Sequence, residues 1–216
     1  EVHERSVDND ILCLLCRRLL LRNDHIRLVL MSATLAADMY QQYFGVLQPP
    51  IRVGARRFPV KEVYLDDLSK EVQLSGKDTK KVNDLLKQCL TMTCQKAPSA
   101  QYMEKVYQVV ANLATAIGKP GTSVLIFVSG MHEIVAIAEL IESIVIPGIR
   151  FKCVPIHSDI PFEDQMLVFD ASKDDEVKIV IATNAAESSL TLPEVDNVIC
   201  LGLCKQIVYN EASHRQ

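Results

Sequence analysis

The sequence predicts an α/β protein built on parallel sheet. Three observations carry that reading. Short apolar runs at residues 124–128, 151–156 and 178–183 are rich in Val and Ile. They are apolar along most of their length rather than strictly alternating, which is the pattern of strands covered on both faces. Helical stretches separate them, in the strand–helix–strand rhythm of parallel crossover units.

Residues 8–22 read as a helix. Ile11, Leu12, Leu15 and Leu19 recur at helical spacing, and Arg17, Arg18 and Arg22 crowd its C-terminal end, where cations suit the helix dipole. The apolar run 26–31 predicts a buried strand. A second short helix over 36–44 is stopped at Gly45, and Pro49-Pro50 marks a break. Residues 51–65 look extended, and 66–80 are polar and loop-like. Helical stretches follow at about 79–95 and 99–118, separated at Pro98. Then come a strand at 124–128, a helix at 133–144, a strand at 151–156, a helix at 162–171 and a strand at 178–183. Further strands are expected at 198–201 and 206–209.

The pattern divides the chain into domains at 1–60 and 61–216. The first is too short to close a doubly wound sheet alone, so it is expected to be truncated on its N-terminal side. No internal repeat and no low-complexity segment interrupts this order.

Composition bounds the function. The chain has 216 residues, 49% of them hydrophobic and 23% charged, which is ordinary for a globular protein. A net charge of −4 argues against a broad basic nucleic-acid surface. It leaves room for a cleft that grips phosphates with polar side chains and backbone amides. No apolar run approaches the roughly 18 residues of a membrane span, so no membrane partner is expected. The charged first ten residues are unlike a signal peptide. Seven cysteines, an odd count without a regular framework, predict a reduced intracellular setting, nucleus or cytoplasm. Cys13 and Cys16 form a CxxC inside a helical leucine pattern and read as packing rather than as a metal or redox pair. Cys200 and Cys204 read the same way.

Several short motifs carry chemistry. Glu1-Val2-His3-Glu4-Arg5-Ser6 opens the chain, and Leu30-Met31-Ser32-Ala33-Thr34-Leu35 follows an intervening helix. Acidic groups beside a strand end can hold Mg²⁺ and orient a water against a γ-phosphate; alone, they would be a charged tail. Ala182-Thr183-Asn184-Ala185-Ala186-Glu187-Ser188-Ser189 puts hydroxyls and an amide at the C-terminal end of a strand, where open α/β sheets bind ligands. Thr183 and Asn184 can donate to phosphate oxygens, and Ser158 holds the equivalent place after the previous strand. The alternative for each is an ordinary cap or turn residue. Gly118-Lys119-Pro120-Gly121-Thr122-Ser123 has the letters of a phosphate loop but not its context. A helix precedes it and a strand follows, so it reads as a turn.

In order and spacing these segments resemble motifs of the DEAH-box (DEAH/RHA, DExH) family of ATP-dependent RNA helicases, of superfamily two. Glu1 to Ser6 resembles motif II, and Leu30 to Leu35 motif III. Leu125-Ile126-Phe127-Val128-Ser129-Gly130 with Glu133-Ile134 resembles motif IV, and Ala182 to Pro193 resembles motif V. Tyr43-Phe44-Gly45, Phe58-Pro59-Val60, His157-Ser158-Asp159, Gly202, Lys205 and Tyr209-Asn210 continue the family pattern.

The resemblance implies tandem RecA-like domains, with ATP and Mg²⁺ bound between them and single-stranded or structured RNA across their upper face, assisted by protein cofactors. It implies that Glu1 polarises the attacking water and helps hold the metal through water. It gives His3 a catalytic place beside Glu1, and His3, Ser32 and Thr34 a part in coupling nucleotide state to RNA grip. It implies RNA-backbone contacts for Ser158, Thr183 and Asn184. Phe169, otherwise a core residue, would stack on the adenine base.

The departures are specific. The chain contains no Gly-x-x-x-x-Gly-Lys-Ser/Thr loop, no aspartate before Glu1 and no Gln-x-x-Gly-Arg-x-Gly-Arg element. It reads as a central helicase fragment lacking motifs I and VI, inactive by itself. Cys200 stands where the family carries aspartate. The competing readings are a non-catalytic RNA-binding scaffold that keeps the helicase fold and an unrelated nucleotide-binding α/β domain.

Overall fold

The computed structural model describes residues 2–32, 37–54, 58–71, 79–91, 99–184, 192, 194–203 and 205. Its contacts divide the chain into two compact units, Glu1–Lys61 and Glu62–Gln216.

In the first unit a 3-10 turn, Val2–Glu4, leads into helix α1, Val7–Leu20. Ser6 caps α1: its hydroxyl accepts the Asn9 N–H at 3.2 Å, satisfying a donor that the first turn leaves without a partner. Asp8 and Asp10 lie in the first turn and Arg17 and Arg18 in the last, both matched to the dipole. Helix α2, Ala37–Phe44, ends as its glycine predicts. Gly45 takes φ +67°, so the Gly45 N–H reaches the Gln42 carbonyl at 3.2 Å and the Val46 N–H reaches that of Gln41 at 3.0 Å. The Arg17 guanidinium sits 4.9 Å from the centre of the Tyr43 ring and ties α1 to α2.

The strand expected at 26–31 does not form. The segment is extended, and Ile26, Leu28 and Leu30 are half-buried while Val29 and Met31 are 78% and 72% exposed. Its backbone has the period of a strand but no ladder, because the described residues of this unit offer it no neighbouring strand. Residues 51–54 and 58–64 likewise run without helix or ladder. Nor does α1 bury its apolar stripe: Ile11, Leu12, Leu15 and Leu19 are exposed, while Cys13 is buried.

The second unit holds α3, Leu68–Glu71, α4, Thr79–Thr91, and α5, Ala100–Ile117, ahead of the sheet. Strand β1, Ser123–Phe127, is followed by α6, Met131–Glu142, and β2, Arg150–Ile156. Then come α7, Phe162–Gln165, a 3-10 turn Met166–Phe169, β3, Glu176–Ala182, and β4, Val195–Cys200. The strands form one sheet in the order β2-β3-β1-β4, every pair parallel. The strand expected at 206–209 lies outside the described residues.

Side-chain alternation assigns the two faces. Val124 and Ile126 of β1 and Val177, Ile179 and Ile181 of β3 pack under α5 and α6, against Tyr107, Ala111, Ala114, Ile134, Ile137 and Ile141. On the opposite face Leu125, Val154, Ile156, Val180 and Ala182 meet Val168 of the 3-10 turn. These strands are apolar because both faces are covered.

Three expectations are corrected in this unit. Residues 66–80 are not all loop, because α3 forms there and buries Leu68 with Leu86 and Cys89 of α4 and Val109 and Leu113 of α5. The helix expected at 162–171 is α7 followed by a tighter 3-10 turn. Cys200 is not packed inward: along β4 alternate residues face out, and Cys200 is exposed. Cys204 lies outside the described residues.

The phosphate-loop look-alike is a turn between α5 and β1. Gly121 takes φ +79°, and the Thr122 N–H and hydroxyl both bond the Lys119 carbonyl at 3.0 Å. A side chain at Gly118 would meet Val177 at 2.6 Å, so glycine is required where α5 passes close to β3.

Candidate functional site

Topology selects the ligand edge. From β1 the chain crosses through α6 to β2 at one side of the sheet, and from β3 it crosses to β4 at the other. β1 and β3 are neighbours whose onward connections diverge. That is a topological switch point, and ligands of open α/β sheets bind outside the strand C-termini at such a place.

The strand ends there are stitched together by backbone bonds. The Val128 N–H reaches the Ala182 carbonyl at 2.9 Å, the Thr183 N–H that of Ile156 at 3.3 Å, and the Leu201 N–H that of Phe127 at 3.3 Å. Ser158, Thr183 and Asn184 therefore lie on one edge, at the ends of neighbouring strands β2 and β3. Asn184 and Ser158 are exposed, whereas Thr183 is buried. Ser158 sits in a tight turn in which the Ile160 N–H bonds the His157 carbonyl at 3.0 Å and the Asp159 N–H bonds His157 Nδ1 at 3.1 Å. The Ser158 hydroxyl donates to Asp159 Oδ1 at 3.3 Å. Residues 185–191 of the motif V-like run lie outside the described residues.

A charged cluster on this edge escaped the sequence reading. Glu133, buried in the first turn of α6, accepts the Ser129 hydroxyl at 2.9 Å and lies 3.4 Å from Lys205 Nζ. Burial opposes its charge. The backbone N–H of Glu133, the Ser129 hydroxyl and the Lys205 ammonium outweigh that and hold the carboxyl below its ordinary value. The signal for Ser129–Glu133 was present as an i, i+4 pair flanking a helix start. Lys205 lies 72 residues away in sequence, beyond reach of local pattern. At Gly130 an added Cβ would stand 2.6 Å from Lys205 Nζ, so glycine leaves the lysine its space. The outcome is a mostly exposed ammonium anchored at the ligand edge.

Phe169 closes the 3-10 turn after α7. Val168 enters the core, while Phe169 stays 41% exposed. The neighbour rather than this ring fills the core, and Phe169 keeps part of its surface toward solvent.

In the first unit, the Val2 N–H bonds the Met31 carbonyl at 3.1 Å, and the Tyr40 hydroxyl donates to the Val2 carbonyl. This sets the turn carrying His3 beside the segment carrying Ser32. Arg5, at φ +52°, grips Asp10 of α1 with Nε and Nη2, each at 3.0 Å from a carboxylate oxygen. That fork holds the Asp10 carboxyl below its ordinary value. Glu1 and Thr34 lie outside the described residues. Among the described residues no group of three His, Cys, Asp or Glu is placed to hold a metal.

A groove of about 260 Å³ between α6 and β2 lies on the sheet face rather than at the strand ends. Burial, then the Glu142 charge, pushes the Cys153 thiol in it up to about 12, so that sulfur is no nucleophile.

The arrangement is that of a parallel α/β domain with polar groups gathered at a switch point. The helicase conserved C-terminal domain family matches residues 103–216. Human ATP-dependent RNA helicase DHX30 is 34% identical over 97% of this chain and 17% of its own length. DExH-box ATP-dependent RNA helicase DExH1 of Arabidopsis thaliana is 28% identical over 97% of this chain and 24% of its own length. Putative ATP-dependent RNA helicase ucp12 of Schizosaccharomyces pombe is 30% identical over 97% and 15%. The solved DExH-box NTPase HrpB of E. coli aligns with 61% of this chain and 18% of its own at 19% identity and TM-score 0.45, a slight likeness. This chain belongs to the helicase family, in its DEAH-box branch. It spans less than a quarter of the length of those curated relatives.

Proposed function

We propose that the protein carrying this chain is an ATP-dependent RNA helicase, and that the strand ends of the second unit hold the RNA backbone. The observation that supports this best is the gathering of Ser158, Thr183 and Asn184 on one edge of the sheet, at the ends of β2 and β3, with Thr183 and Asn184 beside the switch point. These groups are uncharged donors and acceptors. They suit phosphate and sugar, which position RNA without reading its sequence, as a translocating motor requires. The Lys205 ammonium on the same edge adds one positive charge for a phosphate. Bases stack readily on aromatic rings whatever their identity, so the exposed Phe169 ring suits the adenine of ATP.

In the first unit the turn carrying His3 is bonded through Val2 and Met31 to the segment carrying Ser32, which fits their proposed part in relaying nucleotide state. Glu1 is the proposed base that orients the attacking water. Mg²⁺ would neutralise charge on the phosphates, with Glu1 reaching it through water. An intracellular location, nucleus or cytoplasm, fits the cysteine usage, and protein cofactors are expected partners.

RNA-stimulated ATP hydrolysis by the full-length protein tests the reading. A protein that binds RNA but never hydrolyses ATP is the scaffold alternative. Phe169→Ala is expected to weaken ATP binding by about 1–3 kcal/mol, as for loss of one base–aromatic stack, with little change in melting temperature. If Phe169 were core, the same change would cost roughly 3–5 kcal/mol of stability with no selective effect on ATP.

A further inference from the structure

Lys178 is fully buried in the middle of the sheet, on β3. On its face of the strand Val180 and Ala182 are apolar, and Glu176, at the start of the strand, is buried as well. Its register partner on β2 is Lys152, a like charge directly opposite, which is unfavourable in itself. A buried ammonium is costly unless oxygen atoms receive it. On stability alone, an apolar residue of similar volume would serve as well at such a site.

The oxygens that receive it are specific. Lys178 Nζ donates to the Val168 carbonyl at 3.1 Å and to the Asp170 carbonyl. Those two peptide units flank Phe169. The Val168 carbonyl lies at the C-terminal end of the 3-10 turn, where carbonyls lack helical partners, and the Asp170 carbonyl lies just beyond it. The turn itself is short: the Asp170 N–H bonds the Leu167 carbonyl at 3.3 Å, and Asp170 then leaves in extended conformation. So short a turn holds its own last residue weakly, and the ammonium clamps it from within.

We propose that Lys178 is a positioning residue for nucleotide: by fixing the backbone on both sides of Phe169, it holds the exposed ring at the angle against which the purine base stacks. The ring then need not be ordered when nucleotide binds, which is where affinity is gained by pre-organisation. The proposal rests on the reading of Phe169 as the base-stacking residue.

The test uses the full-length protein and two probes, ATP and inorganic tripolyphosphate, which has no base. Lys178→Met is expected to weaken ATP binding about five- to tenfold, a fraction of a full base stack, and to leave tripolyphosphate binding unchanged. Phe169→Ala should act in the same direction, and adding Lys178→Met to it should cost nothing more. Melting curves confirm that each variant is folded at the assay temperature. If Lys178→Met does not fold, Lys178→Gln keeps a donor without the charge and is read by the same ratio of probes, with a base-selective loss expected again. Equal loss of ATP and tripolyphosphate, or an additive double variant, would mean that Lys178 only stabilises the fold, and would overturn the proposal. So would unchanged ATP binding in a folded Lys178 variant while Phe169→Ala weakens it. If Phe169→Ala itself leaves ATP binding unchanged, the stacking reading fails first and the proposal falls with it.

Discussion

Replacing Glu1 with glutamine in the full-length protein is expected to abolish ATP hydrolysis while leaving ATP binding intact. The change removes a carboxylate and almost no volume. Phosphoryl transfer of this class depends on positioning and on charge placed around the γ-phosphate, and a lost water-orienting base costs on the order of 100-fold or more in rate. RNA binding in the presence of ATP should persist, because nothing on the strand-end edge of the second unit is altered. Steady-state ATPase assays and a nucleotide-binding titration on the same preparation check both halves. Near-normal turnover would remove Glu1 from the catalytic role.

The second large effect concerns RNA. Replacing Thr183 and Asn184 together with alanine is expected to weaken binding of every single-stranded RNA by a similar factor. A hydrogen bond to a charged phosphate contributes about 1.5–3 kcal/mol, so the loss should be about tenfold or more. Asn184 is exposed and Thr183 buried, with its N–H already bonded to Ile156. Asn184→Ala alone should therefore carry most of the affinity loss, and Thr183→Ala most of any loss of stability. Neither residue is charged, so the salt dependence of binding should hardly change, unlike the effect of removing Lys205. Binding measured over several sequences and salt concentrations checks this. A loss confined to one sequence would mean base reading rather than backbone grip.

Much of the second unit was legible in the chain because its strands are buried on both faces. The runs at 124–128, 151–156 and 178–183 are apolar for that reason, and the helices between them dictate parallel pairing. The candidate edge followed from the same fact, since Ser158, Thr183 and Asn184 each stand just past a strand. What pattern could not supply was partners. The run 26–31 has the apolar character of a strand, yet a strand exists only as half of a ladder, and none is formed with it among the described residues. Leu68 looked like part of a polar loop because the cluster that buries it comes from α4 and α5. Phe169 and Val168 are adjacent apolar residues, and only the tightening of the turn decides which enters the core. Lys178 passed unnoticed inside an apolar run, and the bond from Lys205 to Glu133 joins segments that no local spacing connects.

The central claim is that the C-terminal strand ends of the second unit are the RNA path. The most direct measurement is photo-crosslinking of a single-stranded RNA carrying 4-thiouridine to the full-length protein, with the attached peptides mapped by mass spectrometry. The account predicts crosslinks in the peptides that contain Ser158 and that contain Thr183 and Asn184, for RNAs of unrelated sequence. Efficient crosslinking confined to α4 and α5, or to the turns that precede the strands, with these peptides untouched, would contradict it.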